Sequence, residues 1–255
     1  MAGTDAIAHH AALDARMARA AKPIRLLSLA SWPASEQQAF LDGWARGNPK
    51  LPAYQYPKHD FSEARRELAA IASAADPSHP LGQYLVESAQ GWVLAAELLE
   101  HLGSPQVTDL SIALFGTPDQ ALPGGTTTRE AANHFLRVAD DFDRELIAPA
   151  EQVEISATAL SLRLQAELDD FFDGRIIGVE LDSELIAKAA AGATRIRLRA
   201  GAAFSDYDLQ QLLQHEAFVH SLTALNGREQ PVLKSLELSS PRVTATQEGL
   251  ATFAE

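Results

Sequence analysis

The chain of 255 residues contains no cysteine, which excludes disulfide frameworks, cysteine-type zinc sites, iron–sulfur clusters and thiol catalysis. Any metal would have to be held by nitrogen and oxygen. Cations are scarce: 21 Lys and Arg stand against 34 Asp and Glu, giving a formal charge of −13 and a pI of about 5.0. Such a surface repels phosphates, and the aromatic residues (7%) form no patch with basic ones, so no nucleic-acid partner is expected. Long apolar runs are also missing. Stretches such as Leu26–Ala30 fall far short of the roughly 20 residues needed to span a bilayer. Met1 to Lys22 has polar and charged residues throughout and lacks a signal-peptide apolar region. A soluble, cytoplasmic, globular protein without a membrane partner is the expectation.

What is present reads first as helices punctuated by proline and glycine. Ser62–Ala75 has helical spacing and ends at Asp76-Pro77. Leu81–Leu102 places Leu81, Leu85, Trp92, Val93, Ala96 and Leu99 on one side before Gly103 and Pro105. Pro105 to Thr128 reads as a turn-rich connection, and its Pro123-Gly124-Gly125-Thr126 lacks the Lys-Ser/Thr of a phosphate loop. Thr127–Ile147 opens on a Thr127/Glu130 capping box and carries Ala131, Phe135, Val138 and Phe142 at helical intervals. Ile155–Phe172 predicts a further scaffold helix, closed by Asp173-Gly174.

After Gly174 the character changes, and the chain divides into a helical portion (1–173) and a second part (174–255) that together form one unit. Ile176–Leu181 is β-branched and short, a strand candidate. Thr194–Arg199 alternates, with Ile196 and Leu198 facing one way and Arg195, Arg197 and Arg199 the other. A long helix then begins at Ser205-x-x-Asp208 and is expected to stop at Asn226-Gly227.

That helix carries His215-Glu216-Ala217-Phe218-Val219-His220, one residue longer than the zinc-protease H-E-x-x-H, in which the glutamate serves as general base. At about 100° per residue, a spacing of four leaves two side chains some 40° apart, whereas five leaves them about 140° apart. A regular α-helix would separate the imidazoles. A turn of about 4.4 residues would reunite them, so the spacing predicts a helix widened by one residue between Glu216 and His220. The chance expectation for the hexapeptide is about 0.02 per chain. The plainer alternative is one exposed and one core histidine, with Leu212, Leu213, Ala217 and Leu222 making an ordinary core face. Downstream, Thr244 opens what reads as another capped helix, with Glu248 in its first turn and Gly249 permitting close helix approach. A carboxylate from a later helix is how two-histidine zinc sites complete three protein ligands.

HEAFVH, then LNGREQP, then TQEGLA resemble the bacterial metallopeptidase-like family known by its QEGLA motif, whose animal relatives are the microtubule-associated tyrosine carboxypeptidases. The resemblance is seen from PIRLLSLASWP (Pro23–Pro33) onward and through RIRLRAGAAFSDYDLQQLLQHE to the end. It implies an α+β, mostly helical fold with a zincin-like metallopeptidase core, in which a short sheet lies beside the metal-binding helix. It implies zinc on His215, His220 and Glu248, with Glu216 as base, and hydrolytic release of a C-terminal residue from a peptide or protein. Family members continue past the QEGLA helix, whereas this sequence stops at Glu255 within a helical pattern; a shortened and inactive form is therefore one expectation. The alternative function is a metal-binding regulatory protein without turnover, acting through a protein partner.

A carboxypeptidase needs a cation for the substrate's terminal carboxylate, and bidentate arginine suits it. Arg228 is the first candidate and the Arg195/Arg197/Arg199 face the second, each weighed against a solvated surface role. Glu255, seven residues after Glu248 on the same helix face, is either a partner to the ligands or helix surface. His9, His10, His59, His79, His101 and His134 lack metal-ligand spacing and read as surface or core. Sequence leaves the oligomeric state open.

Overall fold

The computed structural model describes residues 2–141 and 155–255. Helices α1 (Ala2–Ala21), α2 (Leu26–Ala30), α3 (Ala34–Ala45), α4 (Ser62–Ala74) and α5 (Pro80–Glu100) come first. Helix α5 begins with Pro80, whose missing N–H is not needed there, while His79 Nδ1 accepts from Leu81 N–H at 3.1 Å. Its Leu85, Ala89, Trp92, Ala96 and Leu99 recur at steps of four and three and are all buried. They pack with Leu13 and Met17 of α1 and with Leu68 and Ile71 of α4 into a first core cluster. Each fully buried Leu or Ile there contributes roughly 1.5–3 kcal/mol.

Several elements depart from the sequence reading. The connection after Pro105 contains a helix, α6 (Gln106–Phe115), closed by Gly116 at φ 77°. Its β-branched Val107, Thr108 and Ile112 obscure the helical signal, which packing against α5 restores. Helix α7 (Thr128–Asp141) has the expected Thr127/Glu130 box, with Thr127 N–H donating to the Glu130 carboxylate at 2.8 Å. Yet it buries none of its residues: Phe135 is 68% and Val138 38% exposed, so its apolar spacing is not scaffold packing. Phe142 and the rest of that expected helix, 142–147, lie outside the described residues.

In the second half, Ile155–Ser156 forms β1 rather than the start of a helix, and α8 spans Ala157–Phe171. Ser156 Oγ caps α8 by accepting from Ala159 N–H at 3.2 Å. Strands β2 (Gly178–Asp182), β3 (Ala189–Gly192) and β4 (Arg195–Arg199) make a sheet of order β2-β4-β3. Strand β4 runs parallel to β2, with Val179 opposite Ile196, and antiparallel to β3, with Ala191 opposite Ile196. Strand β3 escapes sequence reading because an Ala-Ala-Ala-Gly run has poor strand propensity; pairing with β4 imposes it. A short β5 (Ala203–Phe204) pairs antiparallel with β1.

Helix α9 (Asp206–Leu212) leads into a π-helical segment (Leu213–Ser221) and α10 (Leu222–Glu229); after two 3₁₀ turns comes α11 (Thr244–Ala254). Helix α10 runs through Asn226-Gly227 instead of stopping there. Gly227 is buried against the Leu236 carbonyl, which a Cβ would meet at 2.2 Å. Leu160, Leu164 and Leu168 of α8, Ile196 and Leu198 of β4, Phe204 of β5, and Leu209, Leu213 and Ala217 of the long helix form the second core cluster. The protein is thus α+β and mostly helical, and no described helix is long and apolar enough to cross a membrane.

Buried Asp14 of α1 joins the early helices to the late chain. It accepts from Ser235 N–H at 3.0 Å and from Lys234 N–H and Ser235 Oγ–H at shorter range. Tyr84 Oη shares a hydrogen bond with Ser235 Oγ at 2.7 Å. The turn held this way lies between α10 and α11.

Candidate metal centre

The long helix starts from a reciprocal cap. Ser205 N–H donates to the Asp208 carboxylate at 2.6 Å, and Asp208 N–H donates to Ser205 Oγ at 3.3 Å. Burial opposes ionisation of Asp208, but the Ser205 amide, Lys188 Nζ at 3.0 Å and the Ser205 hydroxyl outweigh it and hold its carboxyl below the usual range. After the seven residues of α9 the backbone widens. Leu213–Ser221 is π-helical, and Leu222 N–H reaches the Ala217 carbonyl five residues back. The widening predicted between Glu216 and His220 is present and extends on both sides of it.

One side of this segment is anchored. Leu213, Ala217, Val219 and Ser221 are buried, and Ser221 Oγ donates to the Gly192 carbonyl of β3 at 2.8 Å. Phe218 lies 4.5 Å from the Phe171 ring of α8. With that face fixed, the wide turns bring the other two side chains together: the His215 and His220 rings stand 4.8 Å apart at 73°.

Helix α11 packs across the π-helical segment and supplies Glu248. His215 Nε2 lies 3.6 Å from Glu248 Oε2, and His220 Nε2 lies 3.7 Å from Glu248 Oε1. One ligand atom from each of His215, His220 and Glu248 falls within 4.8 Å of the other two. The histidine side chains are 21% exposed and that of Glu248 is 58% exposed, so the triad opens to solvent on the α11 side. Two expectations about α11 need correction. Glu248 is the helix's fifth residue, beyond the first turn, and Val243 at the N-cap offers no side-chain cap; the 3₁₀ turn Pro241–Val243 launches the helix instead. Gly249 is not a close-approach glycine, since a Cβ there would meet nothing within 4 Å.

Glu216, next to His215, is half-buried, and its carboxylate has no hydrogen-bonding or ionic partner among the described residues. The expected substrate cations are engaged elsewhere. Arg228 Nε pairs with Glu237 at 3.2 Å at the far end of α10. Arg197 pairs with Asp182 at 2.9 Å, Arg195 lies 3.6 Å from Glu180, and Arg199 donates to the Ile186 carbonyl at 2.6 Å. The parallel register of β2 on β4 sets Glu180 and Asp182 beside that face, so two of its three arginines are paired with carboxylates and Arg199 is held by a carbonyl. His10 is buried, with Nδ1 near the Ala6 carbonyl at 2.8 Å and Nε2 accepting from Asp76 N–H at 3.3 Å; its role is structural.

Two glutamines also lie near the triad. Gln211 Nε2 donates to Glu255 Oε2 at 2.8 Å, and Gln247 Oε1 lies 3.5 Å from His220 Nδ1. Gln247 opens the Q-E-G-L-A segment, whereas Gln211, four residues before His215, is revealed only by its tertiary contact.

Fold and site together define a mostly helical α+β protein in which two imidazoles of a π-widened helix converge with a carboxylate of α11 in a partly open cluster. Residues 38–255 match the family model for microtubule-associated tyrosine carboxypeptidase, and the chain belongs to that family. The resemblance seen in the motifs is borne out, although the matched region begins after Pro23–Pro33. No curated protein and no solved structure matches the chain.

Proposed function

We propose that this protein is a zinc-dependent peptidase that releases the C-terminal residue of a peptide or protein, built on a zincin-like arrangement of metal helix and adjoining sheet. The observation that carries this reading is the convergence of His215, His220 and Glu248 on a helix widened where H-E-x-x-x-H requires it. The donor set suits zinc: two imidazole nitrogens and one carboxylate oxygen, with a solvent-open side for a fourth position. Bonds of about 2.0–2.1 Å in a tetrahedron imply donor separations near 3.3 Å. Each imidazole lies 3.6 or 3.7 Å from one or other Glu248 oxygen and the three donors span at most 4.8 Å, a gap that side-chain rotation would have to close on binding.

Zinc held there supplies Lewis acidity, polarising a scissile carbonyl and acidifying water. Glu216, unpaired and adjacent to the triad, takes the proton from the attacking water and delivers it to the leaving amine. The family's carboxypeptidase description supports a C-terminal residue as the leaving group. The −13 charge disfavours strongly acidic tails, because like charges slow encounter.

The test begins with the zinc content of protein purified without added metal. Terminal-residue release is then assayed over a peptide library, with a chelator and with zinc restored. Glu216→Gln should keep zinc and lower turnover about 10²–10⁴-fold. Full activity in that variant would remove Glu216 from the base role. Stoichiometric zinc with no release of any residue would favour a regulatory metal protein instead.

A further inference from the structure

The two edges of the His215 ring face two different carboxylates from one helix. Nε2 faces Glu248, while Nδ1 lies 2.5 Å from Glu255 Oε1. Glu255 is the C-cap of α11, seven residues after Glu248, and its N–H donates to the Ala251 carbonyl at 3.1 Å, so it continues the last turn and lies about two turns beyond Glu248 on the same side. Glu255 is not a fourth member of the donor cluster, because the mutual 4.8 Å grouping includes only His215, His220 and Glu248. Its second oxygen is fixed independently by the Gln211 amide at 2.8 Å, one turn before His215. Glu255 therefore bridges two successive turns of the metal helix, and its side chain is only 26% exposed.

From this geometry we infer that Glu255 is a positioning residue. It accepts the Nδ1–H of His215, fixes the tautomer that leaves Nε2 free to ligate, and stops ring rotation, with Gln211 locking the carboxylate in place. The inference rests on the metal-centre reading of the triad. A carboxylate on the far ring nitrogen also raises the basicity of the ligating one, and losing such a partner typically costs 10–100-fold in metal affinity. Among the described residues His220 has no equivalent carboxylate; its Nδ1 faces the Gln247 amide oxygen at 3.5 Å. His215 is therefore the more rigid ligand of the two.

The experiment uses the full chain and zinc itself, in competition with a chromogenic chelator. Glu255→Gln keeps an acceptor but loses the charge, and should weaken zinc binding at the lower end of the 10–100-fold range. Glu255→Ala should reach the upper end. Gln211→Leu, which frees the carboxylate without removing it, should fall below both. A second readout needs no metal: long-range ¹⁵N–¹H spectra of the metal-free protein should show His215 as the Nδ1–H tautomer, with Nε2–H gaining population in Glu255→Ala. Thermal unfolding of the metal-free variants should match the parent chain, which separates positioning from a structural role. Unchanged zinc affinity in both Glu255 variants, or an unchanged tautomer, overturns the role of Glu255 alone. A parent chain that takes no zinc overturns the metal-centre reading and this inference with it.

Discussion

Asp14 offers the sharpest energetic test, because one buried carboxylate ties α1 to the turn between α10 and α11. It is 0% exposed and accepts from Lys234 N–H, Ser235 N–H and Ser235 Oγ–H. Hydrogen bonds to a charged group contribute about 1.5–3 kcal/mol each, so three amount to a gross ~4.5–9 kcal/mol. Burying a carboxylate costs several kcal/mol, which alanine would recover. The net expectation for Asp14→Ala is a loss of about 3–4 kcal/mol, or a melting point lower by ~6–16 °C at ~2–4 °C per kcal/mol for a chain of this size. Asp14→Asn should cost only ~1–2 kcal/mol, because its amide oxygen still serves the two backbone donors. Its NH₂ can then donate to Ser235 Oγ, whose proton turns toward Tyr84 Oη, 2.7 Å away. In a Tyr84→Phe background that acceptor is gone, and the asparagine should cost measurably more than in the parent. Urea unfolding followed by tryptophan fluorescence reads all four proteins. An Asp14→Ala midpoint within ~0.5 kcal/mol of the parent would refute the assignment of Asp14 as the clamp. An asparagine penalty equal to that of alanine would refute the proposed rotation of Ser235.

Two glycines should behave oppositely. Gly249→Ala, in a helix interior with nothing within 4 Å of the new Cβ, should raise stability by about 0.5–1 kcal/mol. Gly227→Ala would meet the Leu236 carbonyl at 2.2 Å and should lower it by ~1–3 kcal/mol in the same unfolding assay. The capping box at Asp208 should make stability pH-dependent. Its carboxyl is held below the ordinary value, so its contribution is present above the unfolded value of about 3.9 and fades as pH falls through the lower folded value. Asp208→Asn should cost ~0.5–2 kcal/mol at pH 7 and flatten the stability profile below about pH 4, as measured by thermal melts across pH.

Local signals were the legible ones, and each rests on interactions within a few residues. The capping boxes at Thr127 and Ser205, the buried face of α5 and the alternation along β4 are all written in neighbouring side chains. The count of five between His215 and His220 is of the same kind: on a helix it dictates a widened turn if the two rings are to meet, and the widened turn is there. Elements held by distant partners were not legible. Strand β3 is an alanine run that only β4 makes extended, and α6 is a β-branched segment that α5 makes helical. The helical run of Phe135 and Val138 reads as core in the sequence, and the structure leaves it exposed.

The sequence by itself thus determined the chemistry available: without cysteine, any metal would sit on nitrogen and oxygen, and the H-E-x-x-x-H and Q-E-G-L-A segments supply the candidate donors and point to the family. Tertiary structure alone decided how those donors meet. The 28 residues from His220 to Glu248 close through a turn that Asp14 and Tyr84 hold from more than 140 residues away, as the 220 and 151 residue separations of those contacts record. It decided too that Arg195 and Arg197 of β4 pair with carboxylates of β2, and that Glu255 meets the far side of His215. No local pattern encodes these pairings, because each depends on how helices and strands dock, not on the spacing within any one of them.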